Sequence, residues 1–278
     1  MAHEPLVSVV VPSYQQTDYI DRTVQSVLDQ DGVDFELVVA DHSSTDGTWE
    51  RLQAYADDPR VRILRTPTGG GAPRNWNAVT EQARGVYLKL LPGDDTLLPG
   101  TLARQARILD SDARIVLTAG RRDIVDAHGR TVLRHRGLGP LTRRMAGTDA
   151  IRATVRSGTN LFGEPGAVML RTETLRSVGG WDAASPYAID EGTFIRVLEQ
   201  GDFAPDPQTA STFRLSGTQW SVALVRQQAE QMAALHRAVH QRRPDILNAR
   251  DVRVGDRRAR LLAYQRKLVY SILKERMS

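Results

Sequence analysis

The 278 residues carry 41% apolar and 25% charged side chains, ordinary proportions for a folded globular chain, and the length allows one large α/β unit with added C-terminal helices. Cysteine is absent, which excludes disulfides, thiolate metal sites and thiol nucleophiles and fits a reducing compartment. A net charge of +4 and a pI of about 9.6 favour anionic partners without selecting among nucleotides, acidic lipid and nucleic acid.

Met1 to Pro5 has no basic stretch followed by an apolar run, so no signal peptide is expected. No apolar segment approaches the roughly 18 to 20 residues that cross a bilayer as a helix. Val7 to Val11 is a compact apolar run suited to a strand buried on both faces. Ile20, Val24, Val27 and Leu28 then recur at helical spacing, and Glu36 to Ala40 supplies a second strand, so the chain opens as βαβ. The alternation continues with a helix over Thr48 to Ala56, a strand over Val61 to Leu64, a helix over Asn75 to Arg84 and a strand over Val86 to Leu90. These elements predict a mainly parallel, Rossmann-like sheet flanked by helices. From Arg114 the pattern loosens into a strand at Ile115 to Thr118 and a polar, Arg-rich stretch, Arg134 to Arg144, read as a mobile loop. A strand at Ala167 to Leu170, a short helix at Glu173 to Val178 and a turn at Gly179 to Asp182 lead toward Asp190. The tail reads as two amphipathic helices, one with Met232, Leu235 and Val239, the other with Leu261, Leu262, Leu268, Val269 and Ile272. The expected divisions are residues 1–215, with a nucleotide-binding half (1–113) and an acceptor-side half (114–215), and a C-terminal helical extension (216–278).

In doubly wound sheets the ligand binds where the loops leave the C-terminal ends of the strands. Here those loops contain Pro12-Ser13-Tyr14, Asp41 to Thr48, Thr66 to Asn75 and Pro92 to Asp95. The two common phosphate grips are missing: there is no G-x-x-x-x-G-K-[ST], and Thr68-Gly69-Gly70-Gly71-Ala72-Pro73 does not reproduce a dinucleotide fingerprint after the first strand. A divalent metal ion bridging the phosphates and held by a strand-end carboxylate is the remaining solution. Pro92-Gly93-Asp94-Asp95 stands where that carboxylate is needed.

In order and spacing, these loops resemble the family-2 glycosyltransferases of the GT-A fold. The segments that carry the resemblance are Val9 to Tyr14, Val39 to Thr48, Pro73 to Ala78, Leu90 to Asp95, Val178 to Asp182 and Asp190, together covering roughly residues 6 to 215. The resemblance implies that Asp41 receives the nucleotide base near Pro12 and Tyr14, that Arg74 lies beside the nucleotide and its diphosphate, that Asp94 contacts the ribose and that Asp95 holds Mn²⁺ or Mg²⁺. The family's frequent extra Asp two positions before Asp94 is Pro92 here. Asp190 matches the catalytic base, and Glu191 competes for that role or helps to bind the acceptor. The implied reaction inverts a sugar's anomeric centre as it passes from a nucleoside-diphosphate sugar, a UDP-sugar by preference, to an acceptor hydroxyl in polysaccharide, glycolipid or other glycoconjugate synthesis. A cytoplasmic protein, or one resting on the inner face of the membrane, is expected.

Structural readings stand beside these. Asp46 and Thr48 suit a helix cap, and Asp94-Asp95 could be a turn before a helix. The glycines at 69 to 71 suit plain loop flexibility, and His42, His128 and His135 suit surface or loop positions without metal-ligand spacing. Trp181 is divided evenly between stacking on an acceptor sugar and anchoring its loop in the core. The C-terminal helices could pack on the body, associate with another subunit or rest on anionic membrane. Two other functions stay open: a non-catalytic sugar-nucleotide or glycan-binding module, and a nucleotidylyltransferase, although Pro12 to Gln16 is not the Gly-rich, basic loop the latter needs. No nucleic-acid partner is expected, because the basic residues lack interleaved aromatics.

Overall fold

A computed structural model of the chain describes residues 4–182, 184, 186–216 and 227–272, with side chains followed to residue 267. Its centre is a nine-stranded sheet flanked by helices, as the alternating pattern predicts; the strands of the first half pair in parallel as expected, whereas the later ones pair mostly antiparallel, which makes the sheet mixed. The first half supplies β1 (Val7–Ser13), α1 (Ile20–Leu28), β2 (Phe35–Asp41), α2 (Thr48–Gln53), β3 (Val61–Arg65), α3 (Gly71–Thr80), β4 (Tyr87–Leu90) and α4 (Thr101–Asp110). Then follow β5 (Ile115–Val125), β6 (Thr131–Arg136), β7 (Met145–Ala146), α5 (Gly147–Ser157), a 3₁₀ turn (Pro165–Ala167), β8 (Val168–Arg171), α6 (Thr172–Ser177), α7 (Ile189–Leu198), β9 (Asp202–Arg214), α8 (Gln228–Arg242) and α9 (Ala249–Ile272).

Strand order is β3-β2-β1-β4-β8-β5-β9-β7, with β6 beside β5. β1 runs parallel to both β2 and β4, so consecutive connections leave it in opposite directions and open a crevice between the ends of β1 and β4. The register places Ser13 beside Asp41 and Val10 beside Leu90, which brings the following loops to one edge. Every residue of β1 and β2 is buried, because helices cover both faces. On one face Val9, Val11, Leu37 and Val39 pack with Ile20, Val24, Leu52 and Leu102 from α1, α2 and α4. On the other, Val10, Val38, Leu88 and Leu90 share a core with Val79, Ile151, Phe194 and Val239 from α3, α5, α7 and α8.

The departures from the sequence expectations have local causes. α3 starts at Gly71 rather than Asn75 because Gly70 takes a left-handed φ of 77° ahead of it and Pro73 is tolerated in the first turn. α2 ends at Gln53, short of Ala56. β5 runs on to Val125, well past Thr118, since Arg121 to Val125 pair with β9 despite having no apolar run. Half-way along that extension β6 joins as an exposed strand, so the first part of Arg134 to Arg144 is sheet rather than loop. Both C-terminal helices form. α8 buries Met232, Leu235 and Val239 as expected, whereas Leu261 on α9 faces outward; the side chains of Leu268, Val269 and Ile272 lie outside the described residues. Among the described residues no helix is long and apolar enough to cross a membrane.

Candidate functional site

A cavity of about 660 Å³ opens at the crevice between β1 and β4. Its first end is built by the strand-end loops. Pro12, Ser13 and Tyr14 continue β1, His42 follows β2, and Thr68, Gly69 and the start of α3 close the side. Tyr14 is 55% exposed at the mouth and stands edge-on to His42 at 6.1 Å between ring centroids. His42 itself is buried, contrary to a surface reading, with Nδ1 2.8 Å from Thr66 Oγ1 and Nε2 3.1 Å from the Gly69 carbonyl. It therefore pins the glycine loop. Asn75 ties α3 to the strand ends: its amide donates to the carbonyls of Ser13 and Ala40, and its Oδ1 accepts from Thr66.

Asp41 is wholly buried behind this wall. Its Oδ2 accepts from Ser44 N at 3.1 Å and lies 3.5 Å from Arg65 Nε, while Oδ1 has no hydrogen-bond partner among the described residues. A buried acceptor left unpaired costs about 1–3 kcal/mol. Arg74 is exposed and folds over Gly70, its Nη1 donating to Thr68 O, and it does not line the cavity.

The turn after β4 carries Asp94 and Asp95, both buried. It is held in place by its backbone: Thr23 Oγ1 donates to Asp95 O at 2.7 Å and Arg214 Nε to Asp94 O at 2.9 Å. Asp95 Oδ1 accepts from Arg214 N at 2.8 Å. Burial pushes the Asp95 carboxyl well above the usual range; the neighbouring charge of Asp94 adds to this, and Glu164 contributes from across the cavity. Excess negative charge thus gathers at the cavity floor. Glu164 stands just before the 3₁₀ turn and is paired with Arg122 of β5 through both guanidinium Nη2, at 3.1 Å, and Nε.

The far end is built from later segments. Asp190, in the first turn of α7, is half-buried; its Oδ1 accepts from Glu191 N at 2.8 Å and its Oδ2 from Asn160 Nδ2 at 2.9 Å. Asn160 also donates to Gly163 O, which couples the aspartate to the Glu164 loop. Loss of hydration pushes the Asp190 carboxyl up to about 7, with Glu164 reinforcing the shift and the two hydrogen bonds opposing it. Glu191 is 1% exposed. Burial, then the charge of Asp190, pushes it up to about 8, against the pull of Arg266 and the Thr154 hydroxyl.

Pro12, Tyr14, Asp94, Asp95, Asp190 and Glu191 therefore share one cavity, while Asp41, Arg74 and Trp181 do not line it. Trp181 is 3% exposed, donates from Nε1 to Thr80 Oγ1 at 2.8 Å and packs edge-on against Trp76 and Phe194. That placement is the anchoring alternative; a ring so enclosed has no face to offer a sugar. Sequence reasoning missed Arg122, Asn160, Glu164 and Arg266, which line the same cavity from positions without a recognisable pattern. Asn75 stood inside a motif already singled out, next to the arginine that drew attention instead.

A mixed α/β sheet with a crevice at its switch point and carboxylates on both walls is the layout in which open α/β folds hold their ligands. The chain belongs to the glycosyl transferase family 2, whose model matches residues 8–179. Among its relatives, the uncharacterized protein MT1568 of Mycobacterium tuberculosis is 33% identical over 203 residues, 70% of this chain, and the succinoglycan biosynthesis protein ExoO of Rhizobium meliloti is 36% identical over 128 residues, 46% of this chain. The matched stretches span 62% and 36% of those proteins' own lengths. Among solved structures, TarS residues 1–349 of S. aureus in complex with UDP-GlcNAc matches with a TM-score of 0.68 at 19% identity, covering 84% of this chain and 66% of that one. The mannosyltransferase PcManGT of Pyrobaculum calidifontis, in complex with GDP-Man and Mn²⁺, matches at 0.66 and 15% identity, covering 98% and 76%. At such identities these two show a shared fold.

Proposed function

We infer that the chain transfers a sugar from a nucleoside-diphosphate sugar to an acceptor hydroxyl with inversion at the anomeric carbon, in the synthesis of a polysaccharide or glycolipid. The observation that carries this reading is the convergence on one cavity of a buried strand-end carboxylate pair, Asp94-Asp95, with an independent carboxylate, Asp190, whose pKa of about 7 suits a general base at neutral pH. Membership of glycosyl transferase family 2 and a relative in succinoglycan biosynthesis support it.

The nucleotide occupies the end lined by Pro12, Tyr14, His42 and Asn75. Tyr14 offers an exposed ring for the base, whereas Asp41, shut behind this wall with Oδ1 unpaired, receives an N–H of the base only where the wall side chains give way. UDP is the favoured donor nucleotide. Asp94 serves the ribose and Arg74 the outer edge of the diphosphate.

The residues around Asp95 suit a divalent cation in one particular way. Three buried or half-buried carboxylates, Asp94, Asp95 and Glu164, crowd that part of the cavity, yet among the described residues no cluster of three side chains has ligand geometry. Asp95 would hold a cation there, with Asp94 and Glu164 close by. When bound, it neutralises the diphosphate as that group departs.

Asp190 receives the proton of the acceptor hydroxyl as that oxygen bonds to the anomeric carbon. The bond from that carbon to the diphosphate oxygen breaks at the same time, and the nucleoside diphosphate leaves with the electron pair. Asn160 and the Glu191 N–H hold the Asp190 oxygens in place. The test is release of nucleoside diphosphate from a panel of sugar nucleotides with Mn²⁺ and mixed saccharide acceptors. Binding without release for every donor, in wild type as in Asp190→Asn, would leave a non-catalytic binding module.

A further inference from the structure

The cationic side chains near the cavity differ in how they are engaged. Arg122 is spent on Glu164. Arg214 donates to the carbonyls of Asp94, Asp126 and Ala127. Arg266 lines the cavity as well, but among the described residues it has neither a carboxylate within ion-pair distance nor a hydrogen-bond acceptor, and its Nε is shielded from solvent without a partner.

Arg266 belongs to α9, a helix bolted to the body. Asp251, buried, is paired with Arg152 at 3.0 Å and Arg156 at 2.5 Å, and Arg258 Nη1 donates to Arg156 O. Glycines at the crossing let the backbones touch: a Cβ on Gly158 would strike the backbone of Ala259, and one on Gly255 would strike Val155 O. From α8, His236 Nδ1 meets Asp256 at 2.8 Å. The helix is thus fixed as far as Ala259, and Arg266 lies about 10 Å further along its axis. A side chain with so many rotamers is presented from a rigid base.

Arg266 shares the cavity wall with Glu191, and its positive charge favours the ionised form of that carboxyl. The two do not form an ion pair, and Glu191 Oε1 is itself buried without a partner. An unpaired donor and an unpaired acceptor therefore line the same cavity as Asp190. A guanidinium binds carboxylate and phosphate through parallel N–H bonds, and a carboxylate receives a sugar hydroxyl.

We propose that the acceptor carries an anionic group, a carboxylate or a phosphate on the saccharide, seated on Arg266 while an adjacent hydroxyl donates to Glu191. This rests on the transferase reading for the word acceptor, but the site can be examined by binding alone. Three probes are titrated into the full chain with UDP and Mn²⁺ present: methyl glucoside, methyl glucuronide and glucose 6-phosphate. At least one anionic probe binds 10-fold or more tighter than the glucoside; the order of the two anions tells carboxylate from phosphate. Arg266→Gln erases the preference, Arg266→Lys keeps part of it, and UDP affinity stays within twofold in both. Equal binding of all three probes to the wild type overturns the proposal, as does a loss of UDP affinity in Arg266→Gln, which would assign the guanidinium to the donor's phosphates. Absence of turnover with every donor defeats the transferase reading and leaves the binding comparison intact.

Discussion

The two ends of the cavity are made in opposite ways. At the first, the residues stand at the ends of β1, β2 and β4 or at the start of α3, all within the first 95 positions and each placed by a parallel strand beside its neighbour. At the second, Arg122, Asn160, Glu164, Asp190 and Arg266 arrive from β5, the segment joining α5 to the 3₁₀ turn, α7 and α9. Strand-end geometry makes the first end rigid by construction. The second depends on side-chain ties, above all Asn160 between Asp190 and the Glu164 loop, and on the seating of α9. Mutations at the first end should therefore act on nucleotide binding, and those at the second on turnover and acceptor choice.

Asp190→Asn tests that division most severely. Its kcat should fall by about 10²–10⁴ with UDP affinity unchanged, since a positioned base contributes that much. A matching loss of UDP affinity, measured by calorimetry, would erase the distinction between the ends. The pH dependence gives a related effect. With a base of pKa about 7, kcat/KM should fall about tenfold per unit below that pH, so the activity at pH 5 is roughly one hundredth of the plateau. A limb nearer 8 that survives in Asp190→Asn would move the role to Glu191.

Stability should respond with the opposite sign. Asp190 binds a proton more tightly folded than unfolded, so between about pH 4 and 7 the folded chain holds more protons and stability declines as pH rises. Asp190→Asn removes that decline, and its Tm should exceed wild type at pH 8 but not at pH 4.

At the first end, UDP with Mn²⁺ at about 100 times Kd should stabilise the chain by about 2.7 kcal/mol, roughly 5 °C or more in Tm. Asp95→Ala should lose the Mn²⁺-dependent part and keep the response to UDP alone; an undiminished Mn²⁺ response would take the cation away from Asp95. The smallest effect is expected at Trp181. Trp181→Phe loses the hydrogen bond to Thr80 and some packing, about 1 kcal/mol or 2–4 °C, while the acceptor KM stays the same. A raised KM with an unchanged Tm would return the ring to the acceptor.

Much of the first end was legible before any coordinates, because strands announce themselves as apolar runs and the loops after them are contiguous in sequence. The loops of Pro12, Tyr14, Asp94 and Asp95 followed from strand-end position, the family resemblance picked out these four residues within them, and all four line the cavity. Even there the side-chain directions were hidden: Arg74 turns outward over Gly70, and His42 turns inward to hold the glycine loop. Asp190 was found through its motif, but nothing local in Asn160 or Glu164 signals that they meet it.

The alternation of buried strands and amphipathic helices, together with strand-end acidic residues, was determined by the sequence alone, since hydrophobic periodicity is a property of neighbours along the chain. Tertiary structure decided the extension of β5 by polar residues, the enclosure of Trp181 and the arrival of Arg266 on the cavity wall it shares with Glu191. Each of these depends on packing between segments far apart in the chain, whose free energy is realised only after the sheet and helices have come together, and no local pattern encodes it.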